Sequence, residues 1–592
     1  MNKIISLIQT VLIFGCILVN FSCSEEFLTK APPATLSDAV LADERGVEAM
    51  IIGAYGLLNG GDIFGSAMGT DWVYGSGASD DMYKGSEAGD QTQFNQVELY
   101  NAMSDNPYMR DRWSYCYEGV LRCNNALLIL KRAQAGPEPL NATRAAQIEA
   151  EAKYLRAWYH FSANRVFEKI PYIKTADEMD GKLPDEVPNT DAGWSEIEKD
   201  LDFAIANLPE SWPGAPGRPT KYAAMTLKAQ AFMYQNKLSD AKPLLDAILA
   251  GPFKLVDNYF DNYDERTENN SESIFEIQCS SSGTGNMAMN LSGACMISAG
   301  GPAAIGWGFY QASQCLVDAF GVDNDGLPFL DITARPTVKN DMGVSATTPF
   351  TPTDALLDLR LDWTLGRRGV DFLGWGIYAG VSWVREQGNG GPYMSKKYMH
   401  FEATRGQQSG SGFRNNRNFR YHRLAHVILW RAEIAVEEGD LTMAANLVNQ
   451  IRARVQTSTP VMGLCTATVI PISGIVPAAE LDRTKPAANY KTGLYPVPFS
   501  SKEYAREAVR MEIRLEFASE GQRFFDLRRW GEGPYTPNYD VEVLTDYIKR
   551  DSEFREFMKQ ASTYSPAKRY WPIPQLQIDI QKGVLTQNPN YL

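Results

Sequence analysis

Apolar residues recur at helical spacing along much of this chain, in blocks separated by turn residues. In residues 43–58, Val47, Met50, Ile51, Ala54 and Leu58 share one face, which predicts a helix. Two longer helices are predicted over 110–133 and 142–167. Trp113, Tyr117, Val120, Asn124 and Leu127 line the first, and Ile148, Ala152, Leu155, Tyr159 and Val166 line the second, which Pro171 ends. Residues 191–208 repeat the pattern with Trp194, Ile197, Leu201 and Ile205. A hairpin then runs from 221–235 through a turn at Asn236-Lys237 and back over 238–249. The same device returns as 421–438, Gly439-Asp440 and 441–454. Each hairpin takes about 30–35 residues, close to the tetratricopeptide (TPR) period. A last strong helix covers 502–519.

Two stretches break this rhythm. Residues 60–89 are rich in Gly, Ser and Asp and carry Trp72, Tyr74 and Tyr83, the texture of a structured loop. Residues 279–413 are Gly-rich and aromatic, with Trp307, Tyr310, Trp363, Trp375, Tyr378 and Trp383 and few periodic runs. The expected fold is mainly α: TPR-like helix pairs in a right-handed superhelical scaffold that presents a large irregular, loop-rich lobe. Binding residues usually sit on loops held by a rigid scaffold. The expected division is a leader at 1–22, a tether at 23–42, a helical region at 43–270, and a C-terminal region at 271–592. The last holds the lobe (279–413) and returning helices at 420–530.

The N-terminus adds a location. Residues 1–3 are positively charged and 11–19 are uninterruptedly apolar, too short for a bilayer, which needs about 20 residues. That is the layout of a secretory signal peptide. Ser22 precedes Cys23, and Ser24-Glu25-Glu26 follow, so cleavage before Cys23 and its acylation would tether the mature chain to a membrane. Cys16 is a second candidate inside the apolar run. An ordinary signal peptide with Cys23 as a spare thiol is the plainer alternative. Several acyl chains together anchor stably, at about 0.8 kcal/mol per buried CH₂.

Net charge and cysteine spacing then exclude function classes. A charge of −14 with no basic stripe excludes nucleic acid as the partner. Cys116 and Cys123 are seven apart on one predicted helix, roughly 10 Å between Cα atoms and too far for a disulfide. No cysteine pair has CxxC spacing, and most of the thiols read as buried and free.

Several constellations could carry chemistry. Glu512, Glu516 and Glu520 recur at i, i+4, but Arg510, Arg514 and Arg523 interleave with them, so ion pairing is the expectation rather than glycoside hydrolysis. His422 and His426 are also i, i+4, yet Arg423 stands where a zinc peptidase has Glu, and no third ligand is apparent. Asp323-Asn324-Asp325-Gly326 resembles the start of a calcium loop, but Ala334 occupies its twelfth position, and a turn is expected. No nucleophile elbow or phosphate-binding loop occurs in a strand-to-helix setting. No catalytic residue, metal or cofactor is therefore expected. The aromatics point instead to sugar, whose C–H face matches a flat ring while nearby polar groups bond its hydroxyls. The expected platform is Trp72, Tyr83, Trp307, Tyr310, Trp375 and Trp383, with Asp81 and Lys84 as hydroxyl partners. Against this stands the fact that aromatics also dominate cores.

The C-terminal third carries a resemblance. Residues 509–531 read VRMEIRLEFASEGQRFFDLRRWG and 570–591 read YWPIPQLQIDIQKGVLTQNPNY. With LRAWYHFSANRVFEKIPYI at 155–173, GRPTKYAAMTLKAQAFMY at 217–234, NSESIFEIQ at 270–278, GWGFYQASQCLVDAF at 306–320 and LDLRLDWTLGRRG at 357–369, these resemble the SusD/RagB family of outer-membrane nutrient-binding lipoproteins. The resemblance implies a helical, TPR-like protein on the outer surface of a Bacteroidetes-type cell. Such a protein caps a SusC-like TonB-dependent transporter, captures oligosaccharides and catalyses nothing. Ser24-Glu25-Glu26 is similar to the acidic tag that directs lipoproteins to that surface. His426 stands where the family often has Glu, and Leu359 where Pro is common. Three rival readings remain: a peptide-uptake binder of the RagB type, a TPR-like adaptor without a small ligand, and a hydrolase using Glu512 or Glu516, which release of product from a polysaccharide would be needed to revive.

Overall fold

The structure, a computed structural model, describes residues 41–61, 69–279, 300–304, 306–407 and 416–591. The expected leader, Cys16, Cys23 and most of the tether lie outside these residues.

The longer helices are α1 (Glu44–Gly56), α2 (Pro107–Ala135), α3 (Ala142–Phe167), α4 (Trp194–Asn207), α5 (Lys221–Tyr234), α6 (Leu238–Leu249), α7 (Leu424–Glu438), α8 (Leu441–Thr457), α9 (Lys502–Glu516), α10 (Arg523–Glu532) and α11 (Tyr539–Phe554). Side-chain caps set several starts: Asn141 accepts from Thr143 N at 2.9 Å at the head of α3, and Asp440 accepts from Met443 N at 2.9 Å at the head of α8. Gly439, at φ +84°, ends α7 and permits the tight return into α8. From α1 to α9 each helix packs on the next. This includes α6 on α7, which are neighbours in space although the whole lobe lies between them in sequence. The scaffold is thus one continuous stack of TPR-like pairs, and the lobe is a long excursion from it. Close approach inside the stack is set by small residues: a Cβ on Gly119 of α2 would sit 2.5 Å from the Tyr159 ring of α3.

The described strands form four two-stranded antiparallel pairs. β1 (Met82–Gly85) pairs with β3 (Phe309–Ala312), with Met82 opposite Ala312 and Gly85 opposite Phe309. β2 (Ser273–Ile277) pairs with β6 (Phe419–Arg423). Residues 421–423, expected to open α7, belong to β6 instead. Arg423 is extended at φ −138° and ψ 161°, and the helix begins one residue later. β4 (Leu365–Gly366) pairs with β5 (Met394–Ser395), and β7 (Met462–Cys465) with β8 (Leu481–Pro486).

Two apolar cores result. The larger runs through the stack. The smaller belongs to the lobe and gathers Tyr259, Phe260, Phe372, Trp375, Tyr378, Trp383, Met394 and Met399. Cys116 and Cys123 are buried free thiols, and burial pushes Cys116 up to about 12. No described helix is long and apolar enough to cross a membrane.

Candidate functional site: a three-loop rim around Trp307

The structure removes most of the expected sugar platform from solvent. Trp72 is buried, edge-on to Phe94 at 5.1 Å and to Tyr310 at 5.3 Å, and Tyr310 is buried beside it. Tyr83 is buried, with its hydroxyl on Asp551 and the Arg555 guanidinium 3.7 Å from its ring centroid. Trp375 donates from Nε1 to His400 O at 2.9 Å, and Trp383 from Nε1 to Ile472 O at 2.9 Å, both inside the lobe core. Tyr74 and Tyr378 are buried too. The polar partners fare no better. Asp81 is buried and accepts from Arg514 Nε at 2.8 Å. Lys84 is buried and donates to Asp90 O at 2.6 Å and Glu87 O at 3.1 Å. Burial lowers the Lys84 pKa, with Glu98 and Asp90 opposing. Gly-rich surroundings had suggested exposure; these glycines instead let the backbone fold over the rings. A Cβ on Gly301 would stand 2.3 Å from the Trp383 indole.

Trp307 is the exception. It packs on the core yet stays half-buried, flanked by Gly306 and Gly308. Its position follows from the β1–β3 pair. Ser86 N donates to Gly308 O at 2.7 Å, which holds the segment before β3 against the loop after β1. A third loop joins them. Arg385 donates from Nη1 to Ser86 Oγ at 2.9 Å and to Asp90 Oδ2 at 2.9 Å, and its Nη2 lies 2.8 Å from Glu87 Oε1. Ala88 N donates to Glu386 Oε2 at 2.9 Å, and Asn389 Nδ2 donates to Gly85 O at 2.9 Å. Residues 300–303 seat the same region on Trp383. Residues 85–91, 306–308 and 384–391 are therefore stitched together, and Trp307 stands on this assembly with its indole partly exposed.

Glu87, Arg385 and Glu386 are exposed on this rim and Asp90 is half-buried. Sequence reasoning missed them. The available signal was charge set among small residues, in SEAGD (86–90) and REQGNG (385–390). A partly exposed flat ring, on a segment joined to loops that carry carboxylates and a guanidinium, can hold a polyhydroxylated ring.

The other candidate groups have structural work. Glu512, Glu516 and Glu520 do form ion pairs, but not with the interleaved arginines: Arg510 and Arg514 of α9 and Arg523 at the start of α10 pair elsewhere. Arg360 Nη1 lies 2.7 Å from Glu512 and 3.0 Å from Glu516, and Arg452 lies 2.9 Å from Glu512. Arg423 lies 2.6 Å from Glu516, 2.8 Å from Glu272 and 3.1 Å from Glu520, and Arg454 also pairs with Glu516. Asp358 and Lys397 complete the lattice. Arg510 pairs with Glu507, while Arg514 and Arg523 reach Asp80. His422 is hydrogen-bonded to Gln230 at 3.0 Å, and His426 stacks on Phe517 at 4.0 Å. Burial drives both imidazoles well below their ordinary range, which leaves them neutral. Asp323 Oδ1 accepts from Asp325 N at 2.8 Å and Leu327 N at 2.9 Å, the work of a turn. Among the described residues no group of three or more His, Cys, Asp or Glu is placed to hold a metal.

Comparison with known proteins follows the same outline. A SusD-like protein from Formosa agariphila is 25% identical over 279 residues, covering 46% of this chain and 51% of that relative, so the chain spans about half of its length. A SusD-like protein from Bacteroides fragilis has a solved structure that superposes with a TM-score of 0.67 at 21% identity, covering 95% of this chain and 100% of that one. The surface glycan-binding protein A of Bacteroides thetaiotaomicron, solved in complex with laminarihexaose, superposes with a TM-score of 0.63 at 20% identity, covering 93% of this chain and 100% of that one. These structures share the TPR-like helical fold. A family model described as "Starch-binding associating with outer membrane" matches residues 26–233, and the model of the SusD family matches 271–591. The chain belongs to the SusD family.

Proposed function

We propose that this protein is a lipid-anchored, cell-surface glycan-binding protein that captures oligosaccharides on the Trp307 rim. It passes them to a SusC-like TonB-dependent transporter in the outer membrane. The observation that carries the reading is the half-buried Trp307 indole, on a segment tied through Gly308 to the loop that bears Glu87 and Asp90, on a fold shared with a protein solved holding laminarihexaose. Stacking supplies the apolar part of the affinity and the rim's polar groups orient hydroxyls. No bond is made or broken. Acylation at Cys23 supplies the anchor. The family model's wording, association with the outer membrane, supports the location.

Affinity electrophoresis of the full mature chain through gels containing laminarin, starch and other polysaccharides tests the reading. At least one gel should retard it. A chain that passes all of them unretarded while binding cationic peptides would favour peptide uptake, for which the three rim carboxylates supply the charge. Labelled palmitate should enter the wild type and be lost in Cys23→Ala. Co-purification from detergent-solubilised outer membranes should recover the transporter. Recovery of the transporter by a chain that binds neither sugars nor peptides would leave only the adaptor role.

A further inference from the structure

Two uncharged loops lie against each other in the lobe. Residues 342–353 read MGVSATTPFTPT and residues 466–479, between β7 and β8, read TATVIPISGIVPAA. Neither holds a charged side chain, in a chain that is 22% charged. Phe350 N donates to Thr468 O at 2.8 Å. The buried Arg368 donates to Ser345 O at 3.2 Å, to Thr348 O at 2.9 Å and to Thr468 O at 3.5 Å, so one guanidinium pins both loops. The second loop is fixed further. Trp383 donates from Nε1 to Ile472 O at 2.9 Å, Ile377 N donates to Gly474 O at 2.9 Å, and Ala467 and Ile470 are buried in the lobe core.

This backbone holds aliphatic side chains out in water. Ile475 is 74% exposed and Ile472 is 62% exposed, two of the three most exposed large apolar side chains among the described residues, and Val469 beside them is 42% exposed. Ser345, Thr347, Thr348, Pro349, Thr466 and Pro477 are exposed around them. Twenty-two residues of the two loops are at least partly exposed, and each side of a standard protein interface uses about 20–30. An apolar centre, an uncharged polar margin and a lack of charged residues are the composition of such an interface. A contiguous exposed apolar face marks a contact site.

The same composition selects the occupant. A helix or loop that settles into a bilayer surface carries Lys or Arg with Trp, Phe or Leu. These loops have no cation, no Trp and no Leu, and their one Phe, Phe350, is buried. The chain as a whole carries −14, so two copies repel over most of their surface and can meet without opposing like charges where the surface is uncharged. An uncharged aliphatic face is also complementary to itself, which a two-fold contact requires. We infer that loops 342–353 and 466–479 form the contact face of a two-fold dimer, its occupant being a second copy of this chain. The contact stands independently of sugar binding at Trp307.

Sedimentation equilibrium of the full mature chain tests it, with Cys23→Ala to keep acyl chains from aggregating it. Ile472→Asp/Ile475→Asp is compared in that background, with near-UV circular dichroism as the check on folding. Both positions are exposed, and the hydrogen bonds that hold the loop use its main-chain atoms. The expected result is a reversible monomer–dimer equilibrium whose dissociation constant rises about tenfold or more in the double variant. Added sodium chloride should tighten the parent dimer, because screening weakens the repulsion between two net-negative chains while the face itself has no charge to screen. Should the double variant misfold, Ile475→Ser alone decides, with a several-fold rise expected. A parent that stays monomeric up to about 1 mM overturns the dimer. So does a dimer that these variants leave intact, which puts the contact elsewhere, or one that salt dissociates, which makes it an ion-paired contact. Flotation of the parent with phosphatidylcholine vesicles, lost in the double variant, makes the face a lipid contact and overturns the dimer. A monomeric parent whose recovery of the outer-membrane transporter is lost in the double variant gives the face to the transporter and overturns it equally.

Discussion

The helical stack and the lobe bury aromatic rings by the same device while presenting opposite sequence textures. In the stack, Gly119 of α2 admits the Tyr159 ring of α3, and both positions belong to a periodic helical pattern. In the lobe, Gly301 admits the Trp383 indole and Gly366 comes equally close to Phe372, within sequence that has no period at all. A glycine beside an aromatic marks backbone laid on a ring in both places. Periodicity reveals it in the first case and hides it in the second. What distinguishes Trp307 is that it packs on the core with part of its ring left open.

The buried ion lattice joins the two regions, and breaking it should have the largest effect. Arg360, Arg423, Arg452, Arg454 and Lys397 face Asp358, Glu272, Glu512, Glu516 and Glu520, five charges of each sign. They come from the lobe, from the residue before β2, from β6, from α8 and α9, and from the turn between α9 and α10. Matching keeps the burial cost tolerable, and removing one member strands its partners. Glu516→Ala leaves Arg360, Arg423 and Arg454 short of a counter-ion together, so a loss of about 5 kcal/mol is expected in urea unfolding. The pH dependence has a definite sign. Burial raises the Glu516 pKa, but Arg454, Arg423 and Arg360 outweigh it and hold the carboxyl well below its ordinary 4.5. A carboxyl depressed in the folded state contributes stability that is complete above the unfolded value and is lost as pH falls through the folded value. Wild-type stability should therefore drop as pH falls below 4.5, with a shallower slope in Glu516→Gln. Equal slopes would mean that the lattice does not hold this proton off.

Next in size is Trp383→Ala. Emptying a fully buried indole site costs about 3–5 kcal/mol, and the rings of Phe372 and Tyr378 at 5.8 and 5.2 Å lose their partner. Chemical denaturation measures it, and a loss under about 1 kcal/mol would return Trp383 to the surface. This residue marks where the sequence stopped being informative. The helices from 43 to 249 and from 424 to 516 were legible because a face repeating every 3.6 residues must be covered. The helix α11 was not anticipated, although Leu544, Tyr547 and Asp551 share its buried face. In the lobe, burial depends on which loop lies over which ring, and only contacts distant in sequence decide that. Trp307 and Trp383 both lie in Gly-rich stretches, and nothing in those stretches ranks one above the other as a binder. The carboxylates Glu512 and Glu516 were read as ion-paired, and they are, but their partners lie on other elements.

Trp307→Ala sharpens the same contrast from the other side. The ring is only partly covered, so the stability cost should be about 1 kcal/mol, well under that of Trp383→Ala. Glycan affinity, in contrast, should fall about tenfold or more, equivalent to about 1.4 kcal/mol. Calorimetry with whichever oligosaccharide the gels identify measures it. Unchanged affinity with a stability loss as large as that of Trp383→Ala would make Trp307 one more core residue.

The smallest effect belongs to Arg385, and it separates the indole from the rim that frames it. Its side chain is 28% exposed and bridges Glu87, Asp90 and Ser86 across two loops. Exposed ion pairs contribute about 0–1 kcal/mol because water screens them and two side chains must be held still. Arg385→Ala should accordingly shift the urea midpoint little. Arg385→Lys should not rescue the geometry, because an ammonium lacks the planar fork that reaches several acceptors in fixed directions. If loops 85–91 and 384–391 position hydroxyl partners for a ligand stacked on Trp307, both variants lose glycan affinity by several-fold while stability barely moves. Added salt should then weaken wild-type binding toward the level of the variants, since these pairs are open to screening. Affinity indifferent to both variants and to salt would confine recognition to the indole alone, and the polar part of the rim would have no share in it.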